Sequence, residues 1–180
     1  MSNALDCLIA RQVAKRPFWL EFHNLTCDYA SLLKQLECNF LELAKSRYSI
    51  NVMLELDRQM PNSIEIRILT STRPKTAVRN VIFTDFKLNV CELLSHVKHV
   101  PLIKEYLLEL ARTSNLPLSC PVLGNYIYNI TNLRVSEETL PVYTQIIFFN
   151  VTLEFSDKGK KPFGTFKLSG ATMPRKKVFV

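Results

Sequence analysis

Cys91, His96 and His99 are the residues whose types and spacing come nearest to a reactive site. Two histidines three apart share one face of a helix, and a thiolate just upstream could join them on zinc or act as an imidazole-assisted nucleophile. A tetrahedral site needs a fourth ligand and a carboxylate to orient the rings, and the pattern supplies neither. Exposed helix histidines beside Lys98 are the better reading. Glu137 and Glu138, ahead of Pro141, could pair as general acid and base but read as solvated loop carboxylates. No GxSxG elbow, HExxH helix or phosphate-binding loop occurs, and only four glycines are present in the chain. The expectation is therefore no catalytic residue, no metal and no cofactor.

The remaining cysteines point to structure rather than catalysis. Cys7, Cys27, Cys38, Cys91 and Cys120 match no paired zinc-knuckle spacing. Four of them fall inside the patterned region, enough for two disulfides with three possible connectivities. Three sequons accompany them, Asn24-Leu-Thr, Asn129-Ile-Thr and Asn150-Val-Thr. Together these features fit an oxidising, secretory compartment. The start, "MSNALDCLIARQVAKRPF", is interrupted by Asp6 and Arg11 and does not read as a standard signal peptide. Residues 1–17 are expected to be a poorly ordered lead, 18–173 one domain, and 174–180 a basic tail.

Composition bounds the partners. The chain is 47% hydrophobic and 22% charged, ordinary for a globular domain, and no apolar run approaches the ~18 residues of a membrane span. Its net charge of +7 is spread thinly, with dense groups only at Lys158/Lys160/Lys161 and Arg175/Lys176/Lys177. These read as solvated turn and tail charges, with attraction to anionic headgroups or an acidic partner as the alternative. Aromatics alternate with aliphatics rather than with basic residues, so a base-stacking platform is not expected and nucleic acid is excluded as a partner.

The elements that must position these residues are mostly strands. "SINVMLELD" places Ile50, Val52, Leu54 and Leu56 on one face, and "SIEIRILT" does the same with Ile64, Ile66 and Ile68. "DFKLNVC" and "QIIFFNVTLEF" continue the alternation, the latter with Ile147, Phe149, Val151, Leu153 and Phe155 together. Asn129 and Asn150 fall on polar faces. Asn24 shares parity with Phe18, Leu20 and Phe22, so it would face inward unless its strand ends or bulges there. Residues 91–114 break the pattern with helical spacing, and Pro101, which lacks an amide hydrogen, predicts a break between two helices. Turn signals at Met60-Pro61-Asn62, Arg73-Pro74-Lys75 and Asp157-Lys158-Gly159 punctuate the strands. The order is five strands, a helical segment and three strands: an all-β sandwich or cup with a helical insertion.

The succession "FHNLTC", "CNFLEL", "FKLNVCELL" and "NLPLSCPVLGNYIYNITNL" resembles a large family of secreted insect proteins of unknown function, expanded in flies. That family is similar to the chemosensory CheB group and, more distantly, to ML lipid-recognition domains such as the ganglioside activator. The likeness covers about residues 18–173. It departs at "ILTSTRPKTAVRN", where a glycine-free stretch replaces the family's usual turn and only Arg73-Pro74 survives. The resemblance implies an immunoglobulin-like, ML-like sandwich enclosing an apolar space, secreted and without catalytic residues. Within it, Cys27, Cys38, Cys91 and Cys120 match the family cysteines. The expected pairs are Cys27–Cys38, closing a hairpin of consecutive strands, and Cys91–Cys120, tying the ends of the helical segment to the sheet.

Two functions follow as expectations. The first is a secreted, non-enzymatic carrier or recognition protein for a lipid or hydrophobic semiochemical, of chemosensory type. Its cavity would be lined, by inward parity, by Tyr128, Phe149, Val151 and Phe155, with Leu107 and Leu110 from the helix. The second is an extracellular protein–protein interaction module with a filled core. Neither implies an oligomeric state.

Overall fold

Alternation between apolar and polar side chains is what a strand with one buried face requires, and the backbone follows it closely. The computed structural model describes residues 16–95 and 104–175, the side chains of 104–106 excepted. Cys7, His96, Lys98, His99, Pro101 and the last five residues lie outside that range, so the zinc reading and the expected helix break fall there too.

Five strands come first: β1 (Phe18–Tyr29), β2 (Leu33–Ala44), β3 (Arg47–Leu56), β4 (Ile64–Pro74) and β5 (Val81–Asn89). Helices α1 (Val90–Ser95) and α2 (Lys104–Thr113) follow, then β6 (Ile127–Ser136), β7 (Ile147–Asp157) and β8 (Gly164–Pro174). The strands form two antiparallel sheets, one of five in the order β1-β8-β7-β4-β5 and one of three in the order β2-β3-β6. The architecture is an all-β sandwich with a helical insertion between its fifth and sixth strands.

Local chemistry sets the corners. The β7–β8 hairpin turns at Gly159, whose φ of 76° is open to glycine without strain. Helix α1 starts where the Asn89 side chain accepts a hydrogen bond from the Glu92 amide at 3.0 Å, satisfying a donor the helix cannot. Gly170 in β8 is required by close approach. A Cβ there would collide with the Glu21 carbonyl oxygen of β1 and stand 2.5 Å from Phe149 Cζ of β7.

Both disulfides, Cys27–Cys38 and Cys91–Cys120, are present. The first, however, closes no hairpin. β1 pairs with β8, while β2 pairs with β3 in the other sheet, so Cys27–Cys38 staples one sheet to the other. The chain crosses the sandwich between β1 and β2, at a turn where Ser31 takes a φ of 39°, so consecutive strands end up stacked rather than adjacent.

β1 also contains the irregularity that Asn24 needs. Its register against β8 shifts between Phe22 and Asn24. The extra residue flips the alternation, so that Phe18, Leu20 and Phe22 face the other sheet before it and Cys27 does so after it. Asn24 is consequently exposed, as are Asn129 and Asn150.

Glu137 does not behave as a solvated loop carboxylate. It follows β6, and its side chain is 13% exposed, paired at 3.1 Å with Arg175, itself 15% exposed. The Arg175 guanidinium lies 3.4 Å from the Trp19 ring centroid, and Arg16 donates to the Glu137 carbonyl at 3.3 Å. The cluster clasps the start of β1 to the end of β8. Arginine suits it because a planar guanidinium can stack on indole and still donate to a carboxylate.

Candidate functional site

The two sheets meet through different chemistry at the two ends of the sandwich. At one end Leu32, Leu56, Met60, Ile64, Val122, Tyr128 and Phe163 form a buried cluster. Partly buried Val90, Cys91, Leu94, Leu116, Cys120 and Phe155 pack against it, so the Cys91–Cys120 disulfide anchors the helical segment on this end. Tyr128 is held there by its hydroxyl, which accepts from the Leu123 amide at 2.9 Å. At the other end Phe22 stacks on Tyr48 across the sandwich with ring centroids 4.4 Å apart, and Phe40 and Phe149 meet Phe22 edge-on. Burial pushes the Tyr48 phenol above its ordinary range. The edge of β1 is capped here as well, the Leu20 amide donating to the buried Ser46 hydroxyl at 2.6 Å.

Between these ends the packing thins. β7 lies in the middle of the five-stranded sheet, where inward side chains of a filled sandwich are fully covered. None of its residues is buried. Val151 and Leu153 face inward with Thr70 and Ile68 of β4 beside them and Leu168 and Phe166 of β8 on the other side. All of these are only half-buried, as are Ile50 and Leu133 on the facing sheet. The Thr84 hydroxyl, on the inward face of β5 opposite Thr70, is buried without a hydrogen-bond partner among the described residues.

The two long sides of the sandwich also differ. On the β1/β2 side the Cys27–Cys38 staple joins the sheets. On the opposite side α1 packs on β4 and β5 of one sheet and α2 on β6 of the other. The Ser114–Ile130 bridge fixes the end of the helical segment to β6. Leu107 and Leu110 are half-buried on α2.

The six residues expected to line a cavity are thus distributed rather than gathered. Tyr128 and Phe155 sit at the buried end, Phe149 at the aromatic end against Gly170, Val151 between them, and Leu107 and Leu110 on the helix beside β6. Phe22, Phe40 and Tyr48 were not among them. Phe22 shares the inward parity of Phe18 and Leu20, so that alternation was the available signal. Its contact with Phe40 and Tyr48 comes from stacking of the sheets, which alternation within one strand does not encode.

Among the described residues no cluster of histidine, cysteine or carboxylate side chains could hold a metal ion. Nor is any described helix long and apolar enough to cross a membrane. Residues 66–151 match the model of a family described as a protein of unknown function, DUF1091. Over that stretch the chain is similar to an uncharacterised family. The match runs from β4 through the helical segment into β7, and therefore includes Cys91 and Cys120 but neither Cys27 nor Cys38. No curated protein matches the chain.

Proposed function

We propose that the protein is a secreted, non-enzymatic carrier or recognition protein that takes a lipid or other hydrophobic small molecule between its sheets. The carrying observation is the central strand β7, eleven residues long with none buried, in a sandwich whose sheets meet at both ends. An apolar chain between Val151, Leu153, Ile68 and Ile50 would cover the exposed part of these half-buried aliphatics, at roughly 25 cal/mol for each Å² removed from water. The two disulfides support an oxidising compartment, and the three exposed sequon asparagines are proposed glycan acceptors there. The likeness to secreted insect, CheB-like and ML lipid-recognition proteins belongs to this same reading, as does the chemosensory role. Native mass spectrometry of the full chain purified from insect cells tests it. Adducts of lipid mass that organic extraction removes are expected, and a protein of unadorned mass with a water-free, solid core would end the proposal.

A second reading rests on one specific surface. β5 is a free edge of the five-stranded sheet and carries exposed Val81, Ile82 and Phe83, the last at 74% exposure. Long apolar edge strands invite pairing with another chain, as an interaction module would use. Replacing Phe83 by Lys should leave lipid adducts intact if the carrier reading holds.

A further inference from the structure

We propose that the pocket beside the β7–β8 hairpin is a separate binding site for a small amphiphilic oxyanion, a phosphate or carboxylate borne on a short apolar group. The pocket has a volume of about 230 Å³ and opens to solvent at the buried end of the sandwich. Its floor is Leu32, Ile64 and Phe163, all members of the buried cluster and therefore fixed in place. Its rim carries Arg58, Lys160 and Lys161 together with one carboxylate, Asp157.

The charges do not cancel locally. Asp157 is already engaged, with Lys160 at 2.5 Å and the Ser63 hydroxyl at 2.5 Å, and those bonds hold its carboxyl below the usual range. Among the described residues that leaves Lys161 with no ion-pair or hydrogen-bond partner, and Arg58 with a single 3.5 Å contact to its neighbour Asp57. Lys161, with Arg58 held only by that long contact, stands over an apolar floor, and the combination selects a ligand with both characters. Charge-assisted hydrogen bonds from guanidinium and ammonium would hold the oxyanion, and the floor would take its apolar end. Volume limits the ligand's size, because long-chain lipids need several hundred Å³ and this pocket admits only a headgroup or short-chain fragment. The site is lined by the outer ends of the strands rather than by the space between the sheets, so it stands or falls apart from the carrier reading.

The test is an NMR titration of the ¹⁵N-labelled full chain with butyl phosphate, with inorganic phosphate, and with vesicles of phosphatidylcholine containing or lacking phosphatidic acid. Butyl phosphate should shift the amides of Ser31, Arg58, Lys161 and Phe163 saturably and bind several-fold tighter than inorganic phosphate. The double variant Arg58→Ala/Lys161→Ala should weaken it about tenfold or more, the loss expected for two charge-assisted bonds. Arg112→Ala, on the exposed face of α2, should leave it unchanged. Variant-sensitive binding to the anionic vesicles assigns a lipid headgroup as the source, and binding of the soluble probe alone assigns a free anion. Absence of saturable shifts, equal affinity in the double variant, or equal affinity for inorganic phosphate would each overturn the proposal. Matching unfolding curves for variant and parent guard against a folding artefact.

Discussion

Substituting Val151 by Phe asks directly whether the middle of the sandwich is filled. Val151 is half-buried on β7, faces the second sheet, and has the small Thr70 as its neighbour on β4. If space lies above it, the ring enters that space without displacing packed neighbours. Roughly 40 Å² of added apolar surface at about 25 cal/mol per Å² would then stabilise the fold by about 1 kcal/mol. A filled core gives the opposite sign, because overpacking costs about 1–3 kcal/mol. Ile64→Ala supplies the internal comparison. That side chain is 0% exposed within the buried cluster and should cost about 2–5 kcal/mol. Urea unfolding monitored by circular dichroism measures both variants against the parent, with stability read from the midpoint at unchanged slope. The same Val151→Phe protein should lose lipid adducts in native mass spectrometry. A destabilisation of 1 kcal/mol or more with the adducts retained refutes the reasoning from β7 outward.

Gly170→Ala, one strand away, should destabilise by about 1–3 kcal/mol, because the Glu21 carbonyl is backbone and cannot withdraw; an unchanged midpoint would show the sheet yielding there. Loss of Cys91–Cys120, with a separation of 29 residues, should cost about 3.6 kcal/mol by loop entropy, against about 2.8 kcal/mol for Cys27–Cys38 with 11. Paired serine variants compared by urea unfolding check that order, and its reversal would mean the sheet-to-sheet staple acts through native packing. Acid should weaken the fold through Asp85 and Asp157, whose carboxyls are held low chiefly by Arg67 and Lys160 respectively. Their contribution is complete above the unfolded carboxyl value near ~4 and disappears as pH falls below it. Asp85→Asn should therefore flatten the stability profile below about pH 4 and leave its slope near neutrality unchanged; a parallel profile would contradict the role of the 2.7 Å Arg67 pair.

Much of the strand framework was legible one strand at a time. Alternation at Ile64, Ile66 and Ile68, or at Phe149, Val151 and Phe155, records which side of a strand faces apolar surroundings, and that is a property of adjacent residues alone. The same arithmetic located the conflict at Asn24, and the bulge after Phe22 is how the backbone resolves it. The candidate site was less legible. Tyr128 and Val151 have the same inward parity, yet one is in a buried cluster and the other in thinly packed space, because packing depends on what the opposite sheet presents.

What the sequence by itself determined was the number and order of the strands, the facing of those without a bulge, the helical interruption and the position of the turns. Each of these follows from periodicity, backbone-restricted residues and side-chain polarity within a short window. Only the tertiary structure decided that β1 joins β8 from the far end of the chain, that Cys27–Cys38 links sheets rather than strands, and that Glu137 meets Arg175. It also decided that Arg58 and Lys161, far apart in the chain, overlook one apolar pocket. Those outcomes depend on long-range register and on how two sheets stack, and neither is written into the alternation of any single strand.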